Sequence, residues 1–153
     1  MERTPCTLYS LSAQKCCVLE VKEMGLVHGP LILKNPRRPE LPPVEVVALA
    51  DSGAVHLCIP GHISERLGLE TSEMRPATLA DGSTILVPYA GPIELRFKNR
   101  VGYTGALVMG EQVLLGAVPM EDMDLIIICR TQRVDVNPES PHVGRSSAKG
   151  FGA

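Results

Sequence analysis

The sequence contains few aromatic residues and no tryptophan. Only 3% of its 153 residues are aromatic, and these are Tyr9, Tyr89, Phe97, Tyr103 and Phe151. So few rings exclude a base-stacking platform for single-stranded nucleic acid. An excess of positive charge is missing too, because 15 Lys and Arg residues stand against 17 Asp and Glu residues, a formal net charge of −2. Such a chain is not suited to bind a phosphate backbone, and we expect no nucleic-acid partner.

Long hydrophobic runs are also absent. The longest candidate, residues 125–129, has the length of a strand and falls far short of the ~20 residues of a membrane helix. We therefore expect no membrane partner. The N-terminus shows no secretory signal and the five cysteines form no CxxC pair, so we expect reduced thiols in a cytoplasmic protein.

The His, Cys, Asp and Glu residues are not spaced as metal ligands usually are. His56, Cys58 and His62 lie close together in sequence, but Pro60 interrupts the helix that would bring Cys58 and His62 to one face. Glu121, Asp122 and Asp124 lack the alternating oxygen ligands of a calcium loop, and we interpret them as acids near a helix N-terminus. The sequence therefore predicts no metal and no cofactor.

The composition is that of one folded domain, with 44% hydrophobic and 21% charged residues. We expect the domain to cover residues 24–138. Residues 1–23 are interpreted as an N-terminal extension that is flexible or lies upstream of a natural start at Met24. Residues 139–153 are expected to be a flexible C-terminal tail, because they are polar and rich in Ser, Gly and Pro.

Short apolar runs separated by Gly and Pro predict an all-β, barrel-like domain. Strands are predicted over residues 26–33, 44–50, 57–59, 93–97, 101–109, 113–116 and 125–129. Asp81-Gly82 lies between two extended arms and predicts a hairpin over residues 78–85. Short helices are predicted over residues 60–69 and 120–124. Beyond Arg130 the pattern is polar, and we expect no further ordered element.

One tetrapeptide places a carboxylate directly after a buried strand: Asp51-Ser52-Gly53-Ala54. Gly53 permits close backbone approach, and the Ser52 hydroxyl can form a hydrogen bond inside the turn. On its own this motif is typical of ordinary turns. Two later elements make it more specific, namely the hairpin tip Ala80-Asp81-Gly82-Ser83 and the hydrophobic-hydrophobic-Gly string Leu114-Leu115-Gly116.

In this order and at these separations, the three elements resemble those of the retropepsin-like aspartic proteases, specifically the small single-domain bacterial and cyanobacterial type. The resemblance covers roughly residues 24–138, and the strings at 35–39 and 116–124 also look like that group. It implies an all-β, retropepsin-like closed β-barrel or sandwich with one or two short helices, acting as a homodimer on a peptide or protein substrate.

The resemblance also implies a role for each element. Asp51 from each subunit would form the catalytic pair, supported in its loop by Ser52, Gly53 and Ala54. The hairpin over residues 78–88 would be a flap that covers the substrate, with Ala80-Asp81-Gly82-Ser83 at its tip. Leu114-Leu115-Gly116 would pass beneath the catalytic loop. The implied activity is that of an aspartic endopeptidase in which the carboxylates activate a water molecule.

Some positions depart from the family pattern. Val55-His56 and Ala117 stand where viral members often carry charged residues, and the flap tip has one glycine instead of a glycine-rich run. Two alternatives stay open: a catalytically silent dimeric β module that binds extended peptides or partner proteins, and a regulatory dimer in which the fold supplies only an interface. Because Asp51 is present, we favour catalysis.

Overall fold

A computed structural model describes residues 25–148. The predicted extension, residues 1–23, lies outside the described residues, as do positions 149–153 of the predicted tail. The described chain forms nine strands and two short helices, which in chain order are β1 (His28–Lys34), β2 (Val44–Ala50), β3 (Leu57–Ile59), α1 (Gly61–Arg66), β4 (Glu70–Thr78), β5 (Thr84–Phe97), β6 (Arg100–Val108), β7 (Leu114–Leu115), α2 (Ala117–Asp122), β8 (Leu125–Ile128) and β9 (Arg133–Val136). Neither helix is long and apolar enough to cross a membrane.

The strands form a single sheet that closes on itself. Its order is β4-β5-β6-β3-β7-β2-β1-β9-β8, and β5 pairs additionally with β1. This second pairing is antiparallel and joins residues 32–34 to residues 94–96, which completes a ring of six strands. Strand β4 pairs with the first part of β5, and β9 joins β8 to the start of β1. The prediction of an all-β, barrel-like fold with one or two short helices is confirmed.

The core inside the ring is aliphatic. In β1 burial alternates along the strand, so that Leu31 and Leu33 face inward while His28 and Pro30 are exposed. Phe97 is the one aromatic side chain buried among the described residues. The largest fully buried side chains are Leu31, Leu33, Val44, Leu57, Ile59, Leu67, Ile93, Leu95 and Met123. Each contributes about 1.5–3 kcal/mol by leaving water.

Strand β9 was not predicted, and the expectation of no ordered element beyond Arg130 is wrong. Residues Arg133–Val136 pair with β8 in antiparallel register, and Val134 is buried. Two valines between charged residues are too short a pattern to be recognised as a strand. The strand forms because Val134 covers Gly29 of β1, where a Cβ would lie 3.3 Å from the valine Cβ.

The interpretation of the acidic residues near position 121 is also wrong. Glu121 and Asp122 lie at the end of α2, which has no acid in its first turn. Asp124 follows the helix with a φ of 51°. Its carboxylate accepts hydrogen bonds from the Asn137 side chain at 2.9 Å, from the Arg145 backbone N–H at 2.9 Å and from the Ser140 hydroxyl. It thereby fastens the chain after β9 to the domain.

Asp124 gives rise to a prediction about stability in acid. The hydroxyl of Ser140, the Arg145 N–H and the Asn137 amide lower the pKa of this carboxyl from 3.8 to about 2. A lowered pKa in the folded state stabilises the protein above the unfolded pKa, and this contribution is lost as pH falls through the folded pKa. We expect Asp124→Asn, which also tolerates a positive φ, to flatten the fall in Tm between about pH 4 and pH 2.

Thermal melts of both proteins from pH 7 to pH 2 would test this. The matched control is Asp122→Asn, since Asp122 is exposed and has no hydrogen-bond partner among the described residues. This control should keep the wild-type pH dependence. Equal flattening in both variants would show that the effect is one of general charge and not of the Asp124 contacts.

Candidate active site

The Asp51 loop begins where β2 ends, at the rim of the barrel. The backbone N–H of Ala54 donates to the carbonyl of Asp51 at 3.1 Å, which closes a tight turn. Within the turn the N–H of Gly53 donates to Asp51 Oδ1 at 2.9 Å. The Asp51 side chain is half-buried, and its other oxygen has no hydrogen-bond partner among residues 25–148. One carboxylate oxygen is therefore held and the other is free to act.

Strand β7 braces this loop from the barrel side. It pairs in parallel with β2, matching Leu49 with Leu114 and Ala50 with Leu115. The N–H of Asp51 donates to the Leu115 carbonyl at 3.0 Å, and the N–H of Ala117 donates to the Ala54 carbonyl at 2.8 Å. The structure thus brings together Asp51, Ala54 and the Leu114-Leu115-Gly116 string.

Gly116 lies at the tightest point of this contact. A Cβ at this position would lie 2.3 Å from the His56 carbonyl oxygen and 2.8 Å from that of Ala54. Both neighbours are backbone atoms of the loop, so they cannot rotate away as a side chain could. Any side chain at position 116 would therefore displace the loop that presents Asp51.

The hairpin of β4 and β5 extends away from the barrel, and its tip is exposed. Gly82 has a φ of +84°, and its N–H donates to the Leu79 carbonyl at 2.9 Å. Asp81 Oδ1 accepts hydrogen bonds from the Ser83 hydroxyl at 2.6 Å and from the Ser83 N–H at 2.9 Å. These bonds lower the pKa of Asp81. Asp81 is thus a turn former, and no hydrogen bond joins the tip to the Asp51 loop within the described part of the chain.

The hairpin meets the Asp51 loop nearer its base, through side chains that sequence analysis did not single out together. The ring of His56 approaches the ring of Tyr89 edge-on, with centroids 5.9 Å apart and an angle of 64° between the planes. The Arg75 guanidinium stacks on Tyr89 at 3.6 Å from the ring centroid and forms an ion pair with Glu73. His56 is half-buried in this contact.

Tyr89 also packs closely against Gly105 of β6. A Cβ at Gly105 would lie 2.4 Å from Tyr89 Cζ, so the tyrosine ring occupies the space of the missing side chain. The glycine that interrupts the apolar pattern of β6 was the one sequence signal of this close approach. It does not identify the partner, because Tyr89 lies on another strand.

Cys58 lies in β3, just after the loop, and its Sγ is 4.0 Å from the His56 carbonyl oxygen. Burial raises the pKa of this thiol, and the nearby negative charge of Asp51 raises it further. The thiol is consequently a poor nucleophile. Within residues 25–148, no three His, Cys, Asp or Glu side chains form a group that could hold a metal ion. The chemistry available at this rim is that of the Asp51 carboxylate.

Comparison with protein-family models gives no match, and comparison with curated protein sequences gives none either. Solved structures do match. The fold is similar to the retroviral protease-like domain of Ddi1 from Leishmania major, with a TM-score of 0.51 and 13% identity over 74% of this chain and 89% of that chain.

Two further matches are EIAV protease complexed with the inhibitor HBY-793 and a retropepsin-like aspartic protease from Rickettsia conorii. The first has a TM-score of 0.48 and 15% identity over 67% of this chain and 90% of that chain. The second has a TM-score of 0.42 and 12% identity over 63% and 71%. At sequence identities this low, the matches are evidence of a similar fold only. With the Ddi1 domain as its counterpart, the chain has the retropepsin-like fold that its motifs predicted.

Proposed function

We propose that this protein is an aspartic endopeptidase in which Asp51 from each of two identical subunits forms the catalytic pair. The observation that carries the proposal is the position of Asp51. It follows strand β2 of a retropepsin-like barrel, in a loop braced by β7, with one carboxylate oxygen held by Gly53 and the other free. A single chain offers one such carboxylate, and the chemistry needs two.

The two carboxylates would share one proton. Like charges about 3 Å apart cannot both ionise readily, so the pair stays singly protonated over an acidic range of pH. The ionised Asp51 removes a proton from the attacking water. The protonated Asp51 of the other subunit donates a hydrogen bond to the scissile carbonyl and stabilises the tetrahedral intermediate. This division of roles predicts an acidic optimum.

The β4–β5 hairpin would serve as the flap over the bound peptide. Its exposed tip is built on a turn with Gly82 at positive φ, and its base contacts the Asp51 loop through Tyr89 and His56. An extended peptide could add its backbone to such a hairpin as a further strand. Closure over the peptide would exclude bulk water and leave the attacking water molecule at the Asp51 pair, and apolar residues beside the scissile bond would be preferred.

Strand β8 offers a surface for the second subunit. It ends the sheet order, so one of its edges has no partner strand in residues 25–148. All four of its residues are aliphatic and half-exposed. Leu125 and Ile127 pack against the core, which leaves Ile126 and Ile128 on the opposite face. An apolar edge without Pro or Lys is suited to pair with a second copy of itself.

If the two subunits pair through the β8 edges, one charge introduced into β8 should separate them. Ile126→Lys places an ammonium on the face of β8 that turns away from the core, so we expect the dimer to dissociate while the subunit stays folded. Light scattering should give a mass of about 33 kDa for the wild type, twice the 16.5 kDa of one chain, and the monomer mass for the variant. The matched control is Val47→Lys, because Val47 is 65% exposed in the middle of the sheet. A dimeric Ile126→Lys variant would contradict this interface.

Cleavage of a diverse peptide pool between pH 4 and pH 7, read by mass spectrometry, tests the activity itself. Cuts at apolar junctions that strengthen in acid and are missing with Asp51→Asn would support the proposal. A folded dimer that cleaves nothing would favour the silent peptide-binding module. A monomer that cleaves would overturn the assignment of one Asp51 per subunit.

A further inference from the structure

A second feature of the hairpin base is a pocket of about 320 Å³ that is lined in part by Tyr89. Its polar lining consists of one guanidinium and four hydroxyl-bearing side chains, and the rest of the lining is glycine and proline. No carboxylate lines it. The polar residues are Arg37, Ser72, Tyr89, Tyr103 and Thr104. The Tyr103 and Thr104 hydroxyls already donate to Glu94 and to the Gly105 carbonyl, so the cation is the main group left for a ligand. A pocket lined by a cation and no acid is complementary to an anionic group.

The cation of this pocket has no acid of its own. Arg38, Arg75 and Arg96 each form an ion pair with a glutamate two residues away. The Arg37 guanidinium has no ion pair and no hydrogen bond with any residue from 25 to 148. One acid contacts a lining residue, since Glu94 accepts a hydrogen bond from the Tyr103 hydroxyl at 3.4 Å, and this glutamate is paired with Arg96. The positive charge of Arg37 is therefore available.

The backbone of Arg37 is held in place although its side chain is free. Asn35 is buried, and its side-chain amide donates to the Leu67 carbonyl at 2.9 Å. Its Oδ1 accepts a hydrogen bond from the Arg37 N–H at 2.9 Å. The proline-rich loop is thus anchored to the end of α1 directly beside Arg37. A fixed backbone reduces the entropy lost when a ligand binds the guanidinium.

The pocket adjoins the proposed peptide groove through a shared wall. Tyr89 lines the pocket and also contacts His56, which is in the Asp51 loop. The close contacts of the ring with Gly105 and with the Arg75 guanidinium fix this wall. Arg37 precedes β2 and Asp51 follows it, so the two residues lie toward opposite ends of a seven-residue strand. A peptide that runs from Asp51 past His56 would therefore need about seven extended residues to bring a carboxylate to Arg37.

We infer that this pocket receives a carboxylate of the substrate peptide and that Arg37 is a specificity-determining residue which selects an acidic side chain at a distance from the scissile bond. This inference rests on the proposed function, because it places a peptide in the groove. A carboxylate at this distance could come from an internal Asp or Glu or from the C-terminus of a peptide. Both present the same chemistry to Arg37.

A peptide series distinguishes these two sources. Starting from a cleaved peptide of the pool, Glu is moved one position at a time and compared with Gln at the same position, with the C-terminus free or amidated. We expect one position at which Glu raises kcat/KM about tenfold over Gln, mainly through KM, as one charge-assisted hydrogen bond would do. A gain that depends instead on the free C-terminus would assign the pocket to terminal carboxylates.

Three variants test the residue. Arg37→Ala should remove the preference for Glu, and Arg37→Glu should reverse it in favour of Lys. The matched control is Arg38→Ala, which should keep the preference because Arg38 is paired with Glu40 at 3.0 Å. An unchanged preference in Arg37→Ala, or an equal loss in Arg38→Ala, would overturn the assignment.

Peptides that the Asp51→Asn variant retains from the same pool, chosen by binding and not by cleavage, separate this inference from the proposed function. Their labelled Glu and Gln versions are compared by fluorescence anisotropy. Arg37-dependent discrimination without any cleavage by the wild type would support the pocket and overturn the hydrolysis. Cleavage without Arg37-dependent discrimination would support the hydrolysis and overturn the assignment of the pocket. Failure of both measurements would overturn both proposals.

Discussion

The Asp51→Asn variant is expected to lose peptide hydrolysis by roughly 10³- to 10⁴-fold, because the amide can neither remove a proton from water nor share one with its counterpart. Asn has the shape of Asp, and its Oδ1 can still accept the hydrogen bond of Gly53. The loop and the dimer should therefore persist. The measurement is kcat/KM on a cleaved peptide, with mass by light scattering and Tm as checks on the fold.

Mixed dimers sharpen this prediction. If each subunit supplies one carboxylate, only dimers with two wild-type chains are active, and an equal mixture that has exchanged subunits should keep about one quarter of the wild-type activity. A mixture that keeps half would mean that each subunit works alone. As a control, Asp122→Asn removes an exposed acid far from the loop in sequence and should leave the mixture fully active. Turnover that survives in pure Asp51→Asn would falsify the mechanism.

The second large effect is expected at Gly116, where even one methyl group has no space. Gly116→Ala places a Cβ 2.3 Å from the His56 carbonyl oxygen and 2.8 Å from that of Ala54. Because both atoms belong to the backbone, relief requires a shift of β7 or of the Asp51 loop. We expect a loss of about 3 kcal/mol in the free energy of unfolding, and a large loss of activity because the same loop presents Asp51.

Urea denaturation measures this effect, and the chain supplies a control of opposite sign. Gly61 is the first residue of α1, and a Cβ there would have no atom within 4 Å. Gly61→Ala should therefore stabilise the protein by up to about 1 kcal/mol through helix propensity and reduced unfolded-state entropy. If Gly116→Ala were as stable as the wild type, the packing of β7 beneath the loop would be looser than the described contacts require.

The parts of the fold that sequence predicted are those in which local pattern and tertiary role agree. The apolar run of β2, the Asp-Gly turn between β4 and β5 and the Leu-Leu-Gly string of β7 each mark their element within a few residues. The Asp51 loop could be located because its residues are contiguous. Local periodicity and turn chemistry are sufficient there.

What could not be predicted depends on contacts between distant residues. Tyr89, Arg75 and His56 come from two strands and a loop, and Gly105 marks the close approach without identifying the ring that fills it. Strand β9 exists because β1 and β8 lie beside it, and its own four residues, two of them charged, are too short a pattern to predict a strand. Asp124 was assigned to the wrong end of α2 because its true partners, Asn137, Ser140 and Arg145, follow it in the chain.

The seam between β1 and β5 has a consequence for how the chain acquires its structure. Residues 32–34 must pair with residues 94–96, which closes a long loop of intervening chain. Only three residue pairs stabilise this closure. The chain loses entropy on closing this loop before most of the stabilising contacts have formed. Proteins with such distant β pairings therefore fold in milliseconds to seconds and not in microseconds. Until the seam closes, the apolar inner faces of both strands stay open to water. The nascent protein is thus most vulnerable to aggregation in the interval between completing β5 and joining it to β1.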